Sequence, residues 1–302
     1  MSIIERSLNK ARLGRDADGV SERLLDSPRP DVGSDARPPE PLRSVVIDLV
    51  ALREIGLLPP EHQARQIASQ YRHIKRPLIA GAMGRGVPRL TNGQFIMVAS
   101  GMPGEGKTFT SLNLALSMAR EKDIQVLLVD ADVAKPHISK LFGLTEEPGL
   151  LDALDNPSAD VERLTFRTNI PNLAVLPAGA GIEHATELLA SGRMATVMNE
   201  LVRRHPARIV LFDSPPLLLT TESLALALVA GQIVIVVRSG QTLQQIVLDA
   251  LNRLPQNASI SFILNQSVAG DSGSYYYGYG SSAERPAEDE RNRAEMALTQ
   301  EK

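Results

Sequence analysis

The stretch "FIMVASGMPGEGKT", residues 95–108, restricts this chain to very few folds. Residues 101–108 match G-x-x-x-x-G-K-[ST], and the apolar run before them reads as a strand. The residues after it, 107–121, read as a helix. That order is the context a phosphate-binding loop needs. Glycines let successive backbone N–H groups turn inward around phosphates, and the helix N-terminus adds positive potential. The candidate nucleotide contacts are therefore Gly101, Met102, Pro103, Gly104, Glu105, Gly106, Lys107, Thr108 and Phe109. Lys107 is placed to reach the β- and γ-phosphates, and the Thr108 hydroxyl to ligate Mg²⁺.

Further β-branched apolar runs follow at 125–132, 173–179, 208–216, 233–240 and 260–266. Continuous apolar strands of this kind are buried on both faces of a sheet. Helical stretches at 186–204, 221–229 and 242–254 supply crossovers. The expected fold is α/β, a doubly wound, mostly parallel sheet of the P-loop NTPase type. Residues 44–268 form the expected domain, opening with a short strand and a short helix stopped by Gly56. Within it the segment 62–90 is basic and free of acids, and its helical first half is expected to stop at Pro77. Before the domain, 1–43 reads as a short amphipathic helix (3–12) and a disordered linker. After it, 269–302 reads as a flexible tail.

Three carboxylates end two of these strands. "IVLFDSPP" places Asp213 at a strand C-terminus, where ligands gather in open parallel sheets and a P-loop finds its Mg²⁺-binding acid. "VLLVDADVAKP" adds Asp130 and Asp132, two residues apart on an extended segment and so pointing the same way. One suits direct or water-mediated contact with Mg²⁺, and the other suits accepting a hydroxyl proton. Their assignment between the two roles stays open at this level, although Asp132 is the metal candidate. Asn265, ending "FILN", is a candidate for adenine recognition.

The chain has no cysteine, which excludes disulfides, thiolate metal sites and cysteine nucleophiles. A net charge of −3 argues against a nucleic-acid partner. No apolar run reaches membrane-helix length and the N-terminus lacks a signal-like apolar region, so a cytoplasmic protein is expected. Of its five tyrosines, four fall in "YYYGYG": Tyr275, Tyr276, Tyr277 and Tyr279.

Taken together, "ASGMPGEGKT", "VLLVDADVAKPHISKLFGL" and "IVLFDSPPLL" resemble the three Walker motifs of the bacterial tyrosine kinases, P-loop autokinases of polysaccharide export. "ELLASGRM" (187–194), "VVRSGQT" (236–242) and the C-terminal tyrosine cluster fit the same family. The N-terminal segments resemble its exosortase-associated, exopolysaccharide-synthesis subgroup. The resemblance implies ATP and Mg²⁺ as cofactors, with Lys107, Asp130 and Asp132 as catalytic residues. It also implies autophosphorylation of the four tail tyrosines in a neighbour's site. The partners it implies are a membrane-embedded polysaccharide co-polymerase or adaptor, which would recruit the chain to the inner membrane face, a cognate tyrosine phosphatase, and further copies of the chain. The family's ring-forming Glu-x-x-Arg-x-x-Arg helix is altered here, with Ser69, Arg72 and Lys75 at those positions. The partitioning and septum-positioning ATPases share the fold. They carry a lysine after the first loop glycine, where this chain has Met102, and they lack a tyrosine tail.

Overall fold

The computed structural model describes residues 43–180, 184–256 and 258–267. The N-terminal helix 3–12, the linker and the tyrosine cluster lie outside these residues. Among the described residues eight strands form one sheet: β1 (Ser44–Val45), β2 (Phe95–Ala99), β3 (Gln125–Asp130), β4 (Phe166–Thr168), β5 (Leu173–Leu176), β6 (Arg208–Asp213), β7 (Gln232–Arg238) and β8 (Ser259–Asn265). Their spatial order is β1-β4-β5-β3-β6-β2-β7-β8. Every pairing is parallel except β4 with β5. The expected doubly wound sheet is present.

The central strands bury both faces because their side chains alternate between two apolar layers. Ile96, Val98, Leu128, Leu211 and Val234 face one core, and Met97, Val129, Phe212 and Ile235 face the other. Over the first core lie α1 (Leu49–Glu54), α2 (Glu61–Met83) and α3 (Lys107–Met118), through Leu52, Tyr71, Leu78, Leu112 and Met118. Over the second lie α5 (Leu150–Asp155), α7 (Gly192–Arg204), α8 (Glu222–Val229) and α9 (Gln244–Asn252), through Leu150, Met198, Leu226 and Ala250. Two short helices, α4 (His137–Leu141) and α6 (Ala185–Leu189), complete the helices among the described residues, together with a 3₁₀ turn at Val161–Leu164. Asp48 starts α1 by accepting from the Val50 and Ala51 N–H groups at 2.9 and 3.1 Å.

Two sequence expectations need correction. Pro77 does not stop the helix: α2 continues through it to Met83 and ends at Gly84, whose φ of 70° closes it in the left-handed conformation. Burial decides the matter, since Leu78, Ile79 and Ala82 beyond the proline are packed into the core. The Leu78 carbonyl is also held by Gln232 Nε2 at 3.0 Å. The stretch 186–204 is not one helix either. It divides into α6 and α7 at Ala190–Ser191, and Leu189 and Met194 on either side enter the second core. β4 escaped the sequence reading because its three residues include one buried apolar side chain, too little for a period.

Candidate nucleotide and phosphoryl-transfer site

The site is built at the C-terminal ends of the central strands. β2 runs into the loop 101–106, and α3 begins at Lys107 with Gly106 as its N-cap residue in the left-handed region, φ 96°. A side chain at Gly106 would overlap Asn265 Nδ2, so the glycine is required on both counts. Asn265, at the end of β8, donates to the Glu105 carbonyl at 2.9 Å and braces the loop from its flank.

The loop also braces itself. The Glu105 carboxylate accepts from the Met102 N–H at 2.8 Å and from the Thr242 hydroxyl. This side chain is buried and folded back onto the loop, so it shapes the loop. Lys107 Nζ donates to Ser100 Oγ at 3.0 Å, and that hydroxyl donates to the Met102 carbonyl at 2.6 Å. Burial pushes the Lys107 ammonium below its ordinary pKa, while the charges of Asp213, Asp132 and Glu105 oppose the shift. Phe109 packs at the margin of the first core.

The acids converge as the strand register requires. Asp130 and Asp213 are direct partners across β3 and β6, and Val98 of β2 lies opposite Asp213. Asp213 accepts from Thr108 Oγ1 at 2.8 Å and from Ser111 Oγ at 2.9 Å. Burial raises its pKa against those two hydroxyls and Lys107. Asp130 is fully buried, and its Oδ2 accepts the Ser139 N–H at 2.7 Å and the Ser139 hydroxyl at 2.8 Å. Its other oxygen has no partner among the described residues. Burial, the largest influence, pushes this carboxyl up to about 7. Asp132 is only half-buried and accepts the Lys135 N–H at 3.1 Å. Burial raises its pKa too, against Lys135, Lys107 and His137.

The donor set fits Mg²⁺. All donors are hard oxygens, Thr108 and Asp213 are already in contact, and a buried carboxylate oxygen lies unpartnered nearby. Among the described residues no three acidic or imidazole groups form a ready-made cage. Mg²⁺ keeps waters and binds through one or two carboxylates plus substrate phosphate, so none is needed. The sequence reading missed the second ring of hydroxyls, Ser100, Ser111, Ser139 and Thr242. Only Ser111 carried a signal, lying one helical turn beyond Lys107 on the same face.

This arrangement has relatives. The AAA domain family matches residues 93–258. The tyrosine-protein kinase YwqD of Bacillus subtilis is 33% identical over 175 residues, 58% of this chain and 70% of that protein. The chain belongs to the bacterial tyrosine-kinase family of P-loop proteins. The putative tyrosine-protein kinase EpsB of Ralstonia nicotianae is 34% identical over 191 residues, 63% of this chain but only 25% of EpsB. The chain thus spans about a quarter of that longer relative. Among solved structures, the VpsO kinase domain aligns with a TM-score of 0.56 at 26% identity, covering 69% of this chain and all of that one. The kinase domain of the Escherichia coli tyrosine kinase ETK aligns with a TM-score of 0.53 at 28% identity, covering 62% of this chain and 72% of that one.

The sequence reading set Lys75 against an arginine of the ring-forming helix. Here it is buried, pairs with Glu121 at 2.7 Å and donates to the Ser117 carbonyl at 2.6 Å. Its charge is therefore spent within the chain. No helix among the described residues is long and apolar enough to cross a membrane.

Proposed function

We propose that the chain is an ATP-dependent protein-tyrosine autokinase acting on its own C-terminal tyrosines and regulating exopolysaccharide synthesis. The observation that carries the reading is where β8 ends. Asn265 touches the phosphate loop, and Tyr275 follows it by ten residues. Ten extended residues reach about 33 Å, so the tyrosines can enter this site or a neighbour's.

The loop backbone and Lys107 would hold the ATP phosphates, and Thr108 and Asp213 would hold Mg²⁺ with Asp132 beside them. The metal would supply charge neutralisation on the transferring phosphoryl group. A tail tyrosine Oη attacks the γ-phosphorus as the bond to the β-phosphate oxygen breaks, and ADP leaves with that electron pair. The phenolic proton passes to a carboxylate. Asp132 is the better placed, because Asp130 is buried and committed to Ser139. In this reading a membrane-embedded co-polymerase recruits the chain, and a tyrosine phosphatase resets the tail.

The test is a phosphotyrosine assay of purified chain with Mg-ATP. Lys107→Met should abolish the signal and leave the fold intact. Mixing Lys107→Met chains with active chains lacking the tail tyrosines should restore it if transfer occurs between copies. ATP hydrolysis without phosphotyrosine would refute the kinase reading and leave a nucleotide-switch ATPase.

A further inference from the structure

The sheet ends differently at its two edges. β1 is two residues long and β8 is seven. β8 pairs with β7 in unbroken parallel register from Ser259 to Asn265. The Ser259 N–H donates to the Gly231 carbonyl, and the Asn265 carbonyl accepts from the Ser239 N–H. The odd-numbered residues of β8 therefore turn their backbone groups toward β7. By alternation, the N–H and C=O groups of Ile260, Phe262 and Leu264 point away from the sheet. Among the described residues no strand pairs with them. The side chains of Phe262 and Leu264 are 53% and 61% exposed, on the face where Ile260 meets the second core. On that same side of the sheet α9 exposes Leu248.

Open edges are normally defended by shortness, charge, proline or a bulge. The opposite edge uses shortness. β8, "SISFILN", has no charge and no proline, and its register shows no bulge.

We propose that β8 is a self-association edge, pairing antiparallel with β8 of a second copy about a twofold axis at Phe262. The backbone favours this register. With the axis there, Phe262 faces its mate and Ile260 faces Leu264. These are the positions whose N–H and C=O groups point outward, so each donor meets an acceptor. The strand is also its own best complement. Being uncharged, it meets itself without repulsion, and it offers an acidic or basic partner nothing to pair with. Aromatic and branched apolar pairs then meet directly across the axis. Because Asn265 braces the phosphate loop, pairing at β8 ties assembly to the element that flanks the nucleotide. The inference does not depend on the tyrosine-kinase reading.

The experiment is sedimentation of the full chain across two decades of concentration. The expected result is a concentration-dependent dimer that Phe262→Lys, or Leu264→Lys should the first variant misfold, converts to monomer without loss of ATP binding. The absence of native cysteine makes the register testable. Ser261 sits opposite Ile263 in a pair without direct hydrogen bonds, with Cα atoms about 4.5 Å apart, within disulfide reach. A mixture of Ser261→Cys and Ile263→Cys chains should therefore cross-link faster than Ser261→Cys alone. A wild-type chain that stays monomeric, assembly that survives both lysine variants, or no preference for the mixed disulfide would each overturn the proposal. Slow exchange of the Ile260, Phe262 and Leu264 amides in a monomer would overturn it too, by showing the edge covered by something else.

Discussion

Replacing Gly106 by alanine tests whether the loop works as a rigid cradle. At φ 96° an L-residue pays about 1–2 kcal/mol for the left-handed conformation. The new Cβ also overlaps Asn265 Nδ2, which can escape only by giving up the Glu105 carbonyl, a bond worth about 1 kcal/mol. The expected destabilisation is about 2–3 kcal/mol, or roughly 5–10 °C in Tm for a domain of this size. Calorimetry without nucleotide would read it, and titration with ATP would show weakened binding. Asn265→Ala alone should cost about 1 kcal/mol. In the double variant the collision is gone and the bond is already lost, so the combined cost should fall short of the sum by about 1 kcal/mol. Strict additivity would show that Asn265 is not what the alanine strikes. An unchanged Tm in Gly106→Ala would refute the cradle altogether.

Two further outcomes follow from the same structure. Burial raises Asp130 to about 7. A raised carboxyl contributes stability that is fully present below its unfolded value near 3.8 and lost as pH rises through about 7. In Mg²⁺-free buffer, Asp130→Asn should therefore gain on wild type between pH 4 and 8, by at most about 4 kcal/mol; parallel stability curves across that range would contradict it. Pro77→Ala should raise Tm by a few degrees, since proline in a helix interior is disfavoured by up to about 3 kcal/mol. A lower Tm would mean that the ring itself packs where α2 meets the core.

The sequence by itself determined the parts whose chemistry is local. The glycine spacing of 101–106, the lysine and threonine after it, and apolar runs ending in Asp130 and Asp213 specify strand, loop and helix without reference to distant residues. Hydrophobic period alone therefore gave the layers of the fold. Tertiary structure decided what depends on contacts between remote segments. Asp130 and Asp213 lie on strands far apart in sequence, and only the β3–β6 register makes them neighbours. Burial at that junction, together with the hydroxyls of Ser139 and Ser111, sets how each acid titrates, and no pattern in the chain announces Ser139 as a partner. Pro77 shows the same limit from the other side. Its local effect is to end a helix, yet the apolar surface of Leu78, Ile79 and Ala82 outweighs one missing hydrogen bond once α2 lies on the sheet.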